Sequence, residues 1–109
     1  MQVNITARHT DVSQSFRERI TTEVEGLSDI FDRINLVEVT MSDDAGVPKS
    51  DIGLRLNHHE FQARGQGTSL QQAFDISLEK MERQLRKYKG KLIGRRAEEI
   101  VIQEAEAVE

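Results

Sequence analysis

The segment from Leu70 to Tyr88 constrains this chain most. Leu70, Ala73, Phe74, Leu78, Met81, Leu85 and Tyr88 fall within one narrow arc when successive residues are turned by about 100°. That pattern predicts an amphipathic helix of about 20 residues, ending near Gly90. Thr68 and Ser69 each have a Gln three positions later, Gln71 and Gln72, so either fits a capping box at its start. A helix with a single apolar stripe cannot stand alone in water. It needs a second apolar surface, and the rest of the chain must supply it.

That surface reads as a sheet. Residues 2–7 alternate, with Val3, Ile5 and Ala7 on one side. Residues 34–42 alternate Val37, Val39 and Met41 against Glu38, Thr40 and Ser42. Ile52, Leu54 and Leu56 predict a third strand, and Phe61, Ala63 and Gly65 a fourth, with a turn at 57–60 between them. Asp43 to Pro48 reads as a loop by composition. Between the first two strands, Val12, Phe16, Ile20, Val24 and Leu27 mark a first helix, with Thr10 or Ser13 as its cap and Gly26 at its end. The predicted fold is α+β: a two-layer β-α-β-β-β-α domain, with a four-stranded sheet and both helices on one face. It occupies residues 1–96 and leaves 97–109 as an acidic, flexible tail. A sheet this small is most simply a monomer.

Composition removes several function classes. The chain has 109 residues and no Cys, which excludes a disulfide framework, a thiolate zinc site and a Cys nucleophile. No run of 18 apolar residues and no basic-then-apolar leader is present, so neither a membrane span nor a secretory signal is expected, and the expected location is the cytoplasm. The formal net charge of −4 argues against a polyanionic partner only until its distribution is examined. Residues 1–79 hold seven basic and thirteen acidic groups. Residues 80–96 hold eight basic groups (Lys80, Arg83, Arg86, Lys87, Lys89, Lys91, Arg95, Arg96) against Glu82 alone. Residues 97–109 hold five Glu and no basic residue.

On the second helix, Lys80, Arg83, Lys87 and Lys91 form one stripe beside the apolar arc, and Asp75, Glu79 and Glu82 lie mainly on the other polar flank. Cations spaced about one helical turn apart can follow a phosphate backbone and release its counterions. Arg95 and Arg96 extend the row. The plain alternative is a solvated helix face with Glu79–Arg83 and Glu82–Arg86 pairs. No enzyme constellation stands beside it. His58-His59-Glu60 reads as a polar hairpin turn rather than a metal site, Asp43-Asp44 as loop, and Gly65-Gln66-Gly67 lacks the residues of a phosphate-binding loop. With one Tyr and no Trp, stacking of bases on aromatic rings is not the expected mode. No catalysis, metal, cofactor or small-molecule substrate is expected.

Three segments in register carry a family likeness: Met1-Gln2-Val3-Asn4-Ile5-Thr6, then Ile30-Phe31-Asp32-Arg33-Ile34-Asn35, then Lys80-Met81-Glu82-Arg83-Gln84-Leu85-Arg86-Lys87. Over roughly residues 1–96 the chain resembles the bacterial ribosome hibernation-promoting factor and ribosome-associated translation inhibitor family. The resemblance implies a β-α-β-β-β-α fold similar to a double-stranded RNA-binding domain. It implies binding to the small ribosomal subunit in the channel used by messenger and transfer RNA, with translation blocked under stress or in stationary phase. It assigns Lys80, Arg83, Lys87 and Lys91 to phosphates of ribosomal RNA, with Arg86, Lys89, Arg95 and Arg96 as additions. The chain departs from family habit in carrying Glu23 and Gly26, rather than Lys, late in the first helix. Two other classes compete: a generic module for structured RNA, and a protein-interaction domain whose basic helix is merely solvated.

Overall fold

The computed structural model describes residues 1–95, with side chains described as far as Lys91. The proposed tail and Arg96 lie outside the described residues. The elements run β1 (Gln2–Arg8), α1 (Gln14–Glu25), a 3-10 turn (Gly26–Asp29), β2 (Ile34–Asp44), β3 (Val47–Leu56), β4 (His59–Gln66) and α2 (Leu70–Arg95). The sheet order is β1-β2-β3-β4. β1 runs parallel to β2 after the α1 crossover, and β2, β3 and β4 form an antiparallel meander.

Alternation sorts the sheet into two faces. Val37, Val39, Met41, Ile52, Leu54, Leu56 and Ala63 are buried on one of them. Phe16, Ile20 and Val24 of α1 and Phe74, Leu78, Met81 and Leu85 of α2 close over that face in a single cluster. Phe16 meets Phe74 edge-on with ring centroids 6.1 Å apart, so the helices lie side by side on it. Ser13 caps α1 by accepting from the Phe16 amide at 3.2 Å. Ser69 caps α2 by accepting from the Gln72 amide at 3.1 Å, and the Gln72 side chain accepts from the Thr68 amide at 2.6 Å.

Three boundaries differ from expectation. The loop at 43–48 contracts to a two-residue turn, Ala45-Gly46, with φ of 55° and 83°, the pair of positive values that a primed hairpin turn requires. β2 and β3 therefore extend to Asp44 and from Val47, and Pro48 lies within a strand pair opposite Asp43. Pro48 is tolerated because its carbonyl, and hence its missing N–H, points beyond the end of β4, where it accepts from the Gly67 amide at 3.3 Å. The turn at 57–60 shrinks likewise: Leu56 pairs with His59, so His59 and Glu60 belong to β4. Finally, α2 passes through Gly90 to Arg95. A Gly in a helix interior costs only about 1 kcal/mol relative to Ala, too little to end a helix whose flanking residues continue it.

Candidate nucleic-acid interface

The cations sort by the flank of α2 that bears them. Lys80 Nζ donates to the Arg64 carbonyl of β4 at 3.0 Å, and Gln84 Nε2, one turn on, donates to the Gln62 carbonyl at 2.9 Å. These contacts fix one flank of α2 against the outer edge of the sheet. By helical spacing Arg83, Lys87 and Lys91 continue along the flank that Lys80 begins. Arg83 is exposed and stands 3.6 Å from Glu79, while Lys87 and Lys91 are half-buried, the Lys87 ammonium itself lying out of solvent. The predicted stripe is therefore one row, and its first member also serves the fold.

Arg86 and Lys89 are exposed but turn toward the other flank. That side faces α1, where Arg19 bridges Glu23 at 2.8 Å and Asp75 of α2 at 2.7 Å. The hydrogen bond to Glu23, with Asp75 adding to it, raises the Arg19 pKa above its ordinary value. Glu23 thus holds Arg19 between the two helices. Arg95 lies at the end of α2, its side chain beyond those described, and Arg96 falls outside the described residues.

One contributor was missed by sequence reasoning. Arg64 of β4 is 74% exposed and pairs with Asp51 through Nε at 3.1 Å. Its backbone carbonyl carries Lys80, so it adjoins the row on α2. Together with Arg8, Lys49 and Lys80 it lines an open groove of ≈ 480 Å3 at the end of the uncovered sheet face, with Asp44 and Asp51. These cations are scattered along the sequence and only the strand register unites them. Alternation in 61–66 put Arg64 on the outer face, but nothing in the sequence placed that strand beneath α2.

The other chemistry-bearing residues find structural uses. Glu60 pairs with Arg55 at 3.0 Å, and the exposed His59 ring lies 4.9 Å from that of Tyr88. Among the described residues no group of three or more His, Cys, Asp or Glu is placed to hold a metal ion. Among them, too, no helix is long and apolar enough to cross a membrane.

Comparison with known proteins agrees with this architecture. Residues 3–93 match the family described as sigma 54 modulation protein / S30EA ribosomal protein. The ribosome hibernation promoting factor of Escherichia coli K12 is 36% identical over 92 residues, spanning 84% of this chain and 97% of that protein. A factor of the same name from Azotobacter vinelandii is 33% identical over 95 residues, covering 87% and 89%. Two solved structures share the fold: a ribosomal subunit interface protein from Coxiella burnetii, at TM-score 0.78 and 22% identity over 84% of this chain and 100% of that one, and the Protein Y N-terminal domain of Thermus thermophilus, at TM-score 0.73 and 16% identity over 81% and 99%.

Proposed function

Because this chain belongs to the family of sigma 54 modulation and S30EA ribosomal proteins, we propose that it is a ribosome-binding hibernation factor. It occupies the messenger and transfer RNA decoding channel of the small subunit and so blocks translation by steric exclusion, without turnover of a substrate. The observation that carries the reading is the row of Lys80, Arg83, Lys87 and Lys91 along one flank of α2, joined by Arg64 from the adjacent strand. Phosphates of ribosomal RNA are its targets. Arg86, Lys89, Arg95 and Arg96 are additions to this contact, and together they raise the local positive potential. Recognition of this kind reads the backbone and shape of RNA rather than its base sequence.

The test is co-sedimentation with separated ribosomal subunits over a salt series, for the wild type and an Arg83→Gln/Lys87→Gln/Lys91→Gln variant. Lys80 is left intact because it also holds the β4 edge. The wild type should travel with the small subunit and leave it steeply as salt rises. Each lost phosphate contact should flatten the slope of log K against log salt by about 0.7–0.9. Transfer RNA should displace the wild type. Binding that ignores both salt and the triple substitution would discard the α2 interface, and equal affinity for any RNA duplex would favour a generic RNA-binding module.

A further inference from the structure

At the end of the sheet where β4 begins, four rings from three parts of the chain meet. Tyr88 of α2 is the hub. Its ring centroid lies 5.5 Å from Phe31, 5.3 Å from Phe61 and 4.9 Å from His59. His59 also lies 6.5 Å from Phe61. Phe31, Phe61 and Tyr88 are half-buried against the core, whereas His59 is exposed. The cluster is thus anchored on its inner side and open on its outer side. It is also contiguous with the cation row: Lys91 follows Tyr88 by three residues and Lys87 by four, so these side chains are neighbours on the helix surface.

We propose that this cluster is a stacking platform for one unpaired RNA base, with His59 as its outer ring and Lys91 on a flanking phosphate. The proposal rests on the RNA reading of α2 and adds a contact to it. A rigid, partly buried aromatic group beside a row of cations is the arrangement by which single-stranded RNA is held without reading its sequence, because every base presents a π-face. Composition alone argued against stacking, since it counted only Tyr and Trp. The fold adds two Phe and a His to the single Tyr.

Tyr88 is the chain's only tyrosine, and no Trp is present, so intrinsic fluorescence reports directly on this cluster. The experiment titrates the full chain with a six-nucleotide single-stranded oligoadenylate and with an abasic ribose-phosphate of equal length. Affinity is read by anisotropy of the labelled strand and stacking by quenching of Tyr88. The oligoadenylate should quench Tyr88 and bind more tightly than the abasic strand. His59→Ala should weaken the oligoadenylate by about 5- to 100-fold and leave the abasic strand unaffected. His59→Phe, which keeps a ring at the position, should retain wild-type affinity. Equal affinity for both strands, or no effect of His59→Ala, overturns the platform while leaving the phosphate row standing. If neither strand binds, the platform is overturned, and the phosphate row is judged by co-sedimentation with the small subunit.

Discussion

At the residue scale, the helix layer is positioned by two features that a count of apolar residues would overlook. Gly65 lies under α2, and a Cβ there would run into the Ala73 carbonyl oxygen and come within 2.7 Å of the Ser77 amide nitrogen. Both obstacles are backbone and cannot swing aside. Gly65→Ala should therefore cost about 2–3 kcal/mol, read as a lower denaturant midpoint. Beside it, Ser77 donates to the Phe74 carbonyl at 2.9 Å, which leaves the Ser50 hydroxyl donating to Ser77 at 2.8 Å. Both serines are buried, so the order of donation decides the cost of removing each. Ser50→Ala leaves Ser77 satisfied and should cost about 0.5–1 kcal/mol; Ser77→Ala strands the Ser50 hydroxyl and should cost about 1–3 kcal/mol. Equal losses in paired denaturation curves would show that the donors are arranged otherwise.

At the scale of elements, the β2–β3 hairpin and the β4 edge show where tertiary context overrode composition. Asp43 to Pro48 holds the residue types of a loop, yet register pairs all but two of its residues. Ala45 has no special preference for the φ of 55° it adopts, and an L-residue there carries about 1–2 kcal/mol of steric cost. Ala45→Asn, which creates the favoured Asn-Gly turn, should stabilise the protein by about 0.5–1 kcal/mol, seen as a higher Tm. On β4 the opposite problem arises, since an edge strand presents unpaired backbone groups to other chains. Lys80 and Gln84 cover two of its carbonyls. A Lys80→Ala/Gln84→Ala variant should remain folded but aggregate more readily, with light scattering rising earlier on heating than in the wild type. Lys80 was legible in the sequence as a cation of the stripe. Its contact with Arg64 was not, because that bond joins residues 16 apart through the packing of α2 on β4.

For the whole molecule, the arrangement of the sheet sets an order of stability. β2 and β3 are paired on both sides and their inward side chains are buried. β1 has β2 as its one neighbour in the sheet, and its Val3 and Ile5 are only half-buried. Native-state hydrogen exchange should therefore find β1 opening at a lower free energy than β2 and β3, whose amides exchange only with global unfolding. Uniform protection across all four strands would contradict this order. Charge is likewise a property of the whole fold: a chain with net charge −4 presents a cationic row because helical spacing gathers lysines and arginines onto one flank, while Glu79 and Asp75 meet Arg83 and Arg19.

The sequence by itself determined the element types and their order, since the shift between a period of two and a period of about 3.6 is written in the positions of Val37, Val39 and Met41 and of Phe74, Met81 and Leu85. It also determined the stripe on α2, because helical geometry places Lys80, Arg83, Lys87 and Lys91 together whatever the helix packs on. Only the tertiary structure decided which neighbours that stripe would have. Arg64 beside Lys80, Ser50 beneath Ser77, and Phe31 and His59 around Tyr88 are meetings of residues remote in sequence. Such contacts arise from strand register and from the side on which α2 docks. No local periodicity encodes them, because both are settled by packing the whole core at once.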